Sequence, residues 1–100
     1  MGFVVVEENE IKKAYSEVEY EGEVYRLDYI ITSPIGEAPT KIDCYISKPI
    51  EEKRLQFGYG SYDKDKSTYI RIDTSILPIG IALQADLSER FYLDVEGAIS

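Results

Sequence analysis

The chain has 100 residues, of which 44% are hydrophobic and 30% charged, and its formal net charge is −8. This composition is typical of a single folded domain over residues 1–100, and it argues against an intrinsically disordered chain or a membrane-spanning helix. Because histidine is absent, Ser-His and Cys-His nucleophilic pairs and the usual Cys/His zinc sites are excluded. We therefore predict no enzyme, no cofactor and no metal site.

Residue usage predicts a cytoplasmic protein. Cys44 is the sole cysteine, so no intramolecular disulfide can form, which is typical of a reducing compartment. Residues 1–10 show no secretory signal. Asn occurs once and Gln twice, and this shortage of thermolabile side chains favours a thermophilic, for example archaeal, source.

The first predicted elements are two strands joined as a hairpin. Residues 3–7 form an apolar run typical of a strand, and residues 9–14 are predicted to be one helical turn or a connection. Residues 14–21 then alternate between polar and apolar, and the alternation resumes after Gly22. A two-residue loop at Glu21-Gly22 sets Val18 opposite Tyr25 and Glu17 opposite Arg26, which matches apolar with apolar and acid with base.

The middle of the chain predicts further strands. Residues 33–39 are a turn-rich loop, residues 40–47 a strand, and residues 48–54 a connection. A second hairpin follows, with a loop at residues 63–66 that places Tyr59 opposite Ile70 and Gly60 opposite Tyr69. In that register the cross-strand aromatic ring lies over the glycine.

The last third predicts a third hairpin. Residues 79–85 and 91–99 alternate in apolar character around a loop at residues 86–90. Pro78 lies in residues 76–80, which we interpret as a crossing between two sheets. The fold prediction is therefore all-β: a single-domain antiparallel β-sandwich or small barrel of six to eight strands.

An acidic strand face is the first candidate site. Residues 1–30 carry eight acidic and three basic side chains, a net charge of −5. Such a surface either solubilises the protein or docks onto a basic partner. The residues predicted to bind that partner are Tyr15, Glu17, Glu19, Glu21 and Glu23.

A glycine-aromatic hairpin is the alternative site. Gly58-Tyr59-Gly60 is similar to strips whose rings stack on bases, although the acidic chain disfavours nucleic acid. A calcium loop at residues 63–66 is disfavoured because lysines interleave its two aspartates. The residues predicted for this alternative ligand site are Phe57, Tyr59, Tyr69 and Arg71.

Together these features predict a small acidic, non-enzymatic protein-interaction module. A basic protein surface is the expected partner, as for an inhibitor or accessory subunit of a nucleic-acid-processing complex, encoded for example by a virus or plasmid. The alternative is an OB-like or sandwich domain that binds single-stranded nucleic acid or a small ligand at the Gly58-Gly60 hairpin. No membrane partner is expected, and a homodimer through an edge strand remains open.

Overall fold

Within residues 9–100, alternating side chains produce one antiparallel sheet, on which a single helix packs. The computed structural model describes residues 9–100. In that part of the chain five strands lie side by side in chain order, so each neighbouring pair is a hairpin. The elements are β1 (Asn9–Tyr20), β2 (Glu23–Pro34), β3 (Lys41–Ile50), β4 (Lys53–Asp63), β5 (Tyr69–Ile72) and α1 (Ile81–Ile99).

The predicted register of the first hairpin is confirmed. Val18 lies opposite Tyr25, and Glu17 lies opposite Arg26. Glu21 and Gly22 both have positive φ, 51° and 80°, which is the conformation of a two-residue type I′ turn. The prediction for residues 9–14 was wrong: they continue β1 and pair with residues 29–34 of β2, because a long hairpin partner overrides a weak local capping signal.

β3 and β4 form a longer hairpin than the sequence indicated. The apolar side chains Ile42, Cys44 and Ile46 lie buried on one face, as the alternation predicts. The predicted connection at residues 48–54 was wrong, since both strands run on to a turn at residues 51–52. Glu51 adopts a φ of 55° there, so the chain reverses without a proline or glycine inside the turn.

The register of β4 with β5 differs from the prediction by one residue. Gly60 lies opposite Ile70, and Tyr59 lies opposite Arg71. Both strand glycines therefore belong to the face that the helix covers, where a Cβ on Gly60 would come within 2.6 Å of Phe91. Gly60 makes room for a buried ring rather than for a cross-strand tyrosine, so the interpretation as an aromatic lying over glycine was wrong.

The predicted C-terminal hairpin is instead the helix α1. Its buried side chains recur at every fourth residue, the spacing of one helix face: Leu83, Leu87, Phe91 and Val95. Ile81, which a strand would have pointed inward, is 84% exposed. Residues 76–80 therefore lead from β5 into the helix rather than between two sheets.

The core lies between this helix and one face of the sheet. Its largest fully buried side chains come from β2, β3, β4 and α1 and include Leu27, Ile42, Ile46, Phe57, Leu87 and Phe91. The all-β prediction is confirmed in part, since the described residues are mostly strand but also form the helix α1. The described residues form one open five-stranded sheet, rather than the predicted sandwich or barrel of six to eight strands. The strand predicted at residues 3–7 lies outside the described residues.

Candidate interaction surface

The sheet has a second face that the helix does not cover, which we call the open face. Because strand side chains alternate, residues opposite one another across the pairings share a face. One row crosses all five strands on the open face, and a second row lies beside it. The first row is Tyr15, Asp28, Tyr45, Tyr59 and Arg71, and the second is Lys13, Ile30, Asp43, Ser61 and Tyr69.

Three tyrosines form a connected cluster on the open face. The ring centroids of Tyr45 and Tyr59 are 5.5 Å apart, and those of Tyr59 and Tyr69 are 6.1 Å apart, within the range of favourable aromatic pairs. The Tyr59 hydroxyl donates a 2.5 Å hydrogen bond to Asp43 Oδ1. This bond, assisted by partial burial, raises the pKa of Tyr59 to about 12. These ring contacts and the hydrogen bond therefore order the three rings on a partly buried surface.

An arginine-aspartate network adjoins the tyrosines. Arg26 Nε donates to Asp28 Oδ1 at 2.9 Å, and Arg54 Nη1 donates to Asp28 Oδ2 at 3.1 Å. The Arg26 guanidinium carbon also lies 3.9 Å from the centre of the Tyr15 ring, which is a cation–π contact. The Arg26 side chain therefore joins β1 to β2 by stacking on Tyr15 and by its ion pair with Asp28.

The structure brings together most of the residues predicted to bind a basic partner. Tyr15, Glu17 and Glu19 lie on the open face of β1, and Tyr15 is 57% exposed. Glu21 lies exposed in the turn that ends the strand. Glu23 lies on the other face, because it opposes Tyr20, and it forms a 3.4 Å ion pair with Lys48.

The alternative site is divided by the sheet. Tyr59, Tyr69 and Arg71 share the open face. Phe57 is only 1% exposed and packs edge-on against Tyr25 in the core, with ring centroids 6.1 Å apart. A β-bulge in the pairing near Ile46 and Ser47 accounts for this, because it shifts the alternation of β4 at Phe57. Phe57 is therefore unavailable to a ligand on the open face.

Two open-face residues, Tyr45 and Arg54, were not among the predicted site residues. Tyr45 alternates with the buried Ile42, Cys44 and Ile46, so periodicity alone places it on the face opposite the core. Arg54 fell in a predicted connection, and its contact with Asp28 depends on the pairing of β2, β3 and β4. Sequence alternation identifies a face, but the neighbours across that face depend on the strand order.

A polar cluster ties the helix to the covered face. Ser16 Oγ and the Tyr29 hydroxyl each donate a 2.6 Å hydrogen bond to Asp94 Oδ2, and Arg90 Nε lies 3.0 Å from Asp94 Oδ1. Burial, assisted by the bond to Asp94, raises the pKa of Tyr29 far above its usual value. Burial also raises the pKa of the Cys44 thiol to about 12. Cys44 therefore remains a thiol near neutral pH. The cluster around Asp94 has the features of a structural clamp between the helix and the sheet.

Comparison with known proteins assigns no family. No family model, no curated protein and no solved structure matches the chain. Across residues 9–100, no three Cys, Asp or Glu side chains come close enough together to hold a metal ion. Within the same residues, no helix combines the length and the apolar character needed to cross a membrane. The open face is therefore the feature of the molecule from which a function can be inferred.

Proposed function

We propose that this chain is a non-enzymatic protein-interaction module that binds its partner through the open face. The observation that supports this proposal is the row of Tyr15, Tyr45, Tyr59 and Arg71, which crosses the whole width of the sheet opposite the helix. Tyrosine and arginine are enriched where protein interfaces bury most of their binding energy. A sheet face carrying both types over five strands fits a protein partner better than a small molecule.

The open face is held in place before any partner arrives. The Tyr59 hydroxyl is hydrogen-bonded to Asp43, and Asp28 forms ion pairs with both Arg26 and Arg54. Side chains that are already ordered lose less conformational entropy when they bind. Binding should therefore be accompanied by little rearrangement of the sheet, as in other interfaces between preformed surfaces.

The charge of the β1 end of the open face favours a basic partner. Glu17, Glu19 and Glu21 follow one another along the exposed edge of the molecule. Such a patch steers a positively charged surface towards the tyrosines and sets its orientation. Proteins that handle nucleic acid carry basic surfaces of this kind, which is why an inhibitor or accessory subunit of such a complex is the favoured role.

A second candidate is binding of a single-stranded nucleic acid or a small ligand. Tyr59 and Tyr69 form a ring pair directly beside Arg71, a combination that can stack on bases. The net charge of −8 opposes this reading, as does the engagement of the Tyr59 hydroxyl with Asp43. Fluorescence titration with oligo(dT) tests it directly, because stacking would quench tyrosine emission.

A matched pair of tyrosine variants tests the proposed surface. Tyr69 on the open face and Tyr92 on the helix are both 45% exposed, and each contacts one other aromatic ring. Partners are captured on the immobilised protein, identified by mass spectrometry, purified, and titrated against both variants. We expect Tyr69→Ala to weaken binding about tenfold or more, the effect of losing an interface anchor, and Tyr92→Ala to leave it unchanged. Equal losses for both variants would overturn the proposal.

A second pair of variants tests the charge of the partner. Glu19→Gln with Glu21→Gln neutralises two acids at the end of the sheet where β1 turns into β2. Glu37→Gln with Asp65→Asn neutralises two exposed acids in the loops at the opposite end of the sheet. Both double variants change the net charge by the same amount. We expect the first to slow association and to reduce its salt dependence, and the second to have little effect. If the two behave alike, only the overall charge matters and a basic docking partner is contradicted.

A further inference from the structure

β1 presents a long strand edge. Its 12 residues pair with β2 on one side, and within residues 9–100 no strand pairs with the other side. The type I′ turn makes Tyr20 and Glu23 a hydrogen-bonded pair, so every second residue back from Tyr20 directs its backbone towards β2. The backbone N–H and C=O groups of the alternate residues therefore point away from the sheet, at Ile11, Lys13, Tyr15, Glu17 and Glu19.

The charges along this edge are ordered in a self-complementary way. Lys13 lies in the first half of β1, and Glu17 and Glu19 lie in its second half. Glu10 also lies in the first half, where it forms a 3.8 Å ion pair with Lys12 and so leaves Lys13, among the described residues, as the basic side chain without an opposite charge of its own on that half. Edge strands are usually protected from pairing by charges that repel or by prolines. Here an antiparallel copy would instead bring Lys13 of one strand against the acidic Glu17 of the other.

We propose that β1 pairs antiparallel with β1 of a second copy of this chain, with Tyr15 at the two-fold axis and Lys13 opposite Glu17 of the second copy. In this register residues 10–20 of one strand run along residues 20–10 of the other, and the outward-pointing backbone groups meet each other. The pairing forms an isologous contact that uses the same residues twice. It joins two five-stranded sheets into one.

The neighbouring side chains are compatible with this pairing. The two Tyr15 rings, each stacked on its own Arg26, would meet on the open face. On the helix side the small residues Ala14 and Ser16 would oppose one another, so no bulky pair crowds the axis. A single strand edge buries a modest area, and the dimer should therefore dissociate on dilution.

Charge reversal at the paired positions tests the register. Lys13→Glu or Glu17→Lys alone places like charges opposite each other at two symmetric sites, so each should weaken self-association about tenfold or more. The double variant Lys13→Glu with Glu17→Lys restores both pairs and should recover the wild-type dimer. Sedimentation equilibrium over a wide concentration range measures all four proteins, and circular dichroism verifies that each is folded.

The swap separates specific pairing from a general charge effect. Glu17→Lys lowers the net negative charge, so stronger association of that single variant would show that bulk repulsion dominates and would overturn the proposal. A wild-type protein that is monomeric throughout would also overturn it, as would a double variant that fails to recover the dimer. Because Tyr69 lies on β5, the effect of Tyr69→Ala on partner binding is independent of the result for the dimer through β1.

Discussion

The two faces of the sheet carry different residues at neighbouring positions of the same strands. The covered face holds a row of Ser16, Leu27, Ile46, Gly58 and Ile72, and the open face holds the adjacent row of Tyr15, Asp28, Tyr45, Tyr59 and Arg71. On the covered face Leu27 and Ile46 are fully buried and Ile72 is partly buried in the core that α1 completes. On the open face they meet one another through ring contacts, hydrogen bonds and ion pairs.

Under the proposed function, the alternation of the strands separates the residues that stabilise the fold from those that bind a partner. Removing apolar area from water contributes most of the stabilisation of a small domain, whereas partly exposed polar contacts contribute little each. Substitutions on the covered face should therefore change the free energy of unfolding strongly. Substitutions on the open face should change it weakly and act mainly on binding.

The largest expected effect is that of Phe91→Ala on the helix. Phe91 is fully buried against the sheet, so its truncation should lower the free energy of unfolding by ~3–5 kcal/mol through lost burial and a residual cavity. Urea denaturation followed by circular dichroism measures this. The adjacent Tyr92→Ala is the control, since that ring is 45% exposed. Similar losses for the two variants would contradict the conclusion that the covered face, against which Phe91 packs, holds the stabilising contacts.

Asp94→Ala should produce the next largest effect. The substitution leaves the hydroxyls of Ser16 and Tyr29 without their acceptor beneath the helix, at a cost of ~2–3 kcal/mol in stability. Asp86→Ala on the exposed side of the same helix serves as the control and should stay within ~0.5 kcal/mol. Thermal melts at neutral pH compare the two. If Asp94→Ala melts at the same temperature as Asp86→Ala, the hydrogen bonds to Asp94 do not hold the helix on the sheet.

Gly60→Ala should destabilise the fold although alanine is less flexible in the unfolded chain. The added Cβ would lie 2.6 Å from the Phe91 ring, and overpacking at such a site costs ~1–2 kcal/mol. In a Phe91→Leu background, which lacks the ring, Gly60→Ala should lower the free energy of unfolding by less. A double-mutant cycle on the unfolding free energies tests this coupling. Strict additivity would contradict the close approach of Gly60 and Phe91.

The smallest expected effect on stability is that of Tyr59→Phe on the open face. Loss of the hydrogen bond to Asp43 should cost about 1 kcal/mol at neutral pH. The raised pKa of Tyr59 means that the unfolded chain releases this proton first, so the stabilisation is present below pH 10 and is lost as the pH rises from 10 to about 12. Melting temperatures of the wild type and the variant should therefore converge over that range. A constant difference would contradict the role of the hydroxyl.

Local patterns in the sequence were sufficient for the first hairpin and for part of the core. Alternation from Ser16 to Tyr20, a turn at Glu21-Gly22 and renewed alternation after it determine one register, because a shift by one residue would expose every apolar side chain. The same reasoning correctly places Ile42, Cys44 and Ile46 on one buried face. It also separates Glu17 and Glu19 from the core, so part of the candidate surface was predictable.

Tertiary structure decided the rest. The apolar residues of the last third fit a period of two and a period of 3.6, and only the exposed apolar face of the sheet, which needs a cover, selects the helix. The register of β4 with β5 depends on Gly60 lying beneath Phe91, a residue 31 positions away that arrives through that helix. The open face likewise exists because α1 covers one side of the sheet and leaves the other uncovered. No local sequence pattern predicts which side the helix covers.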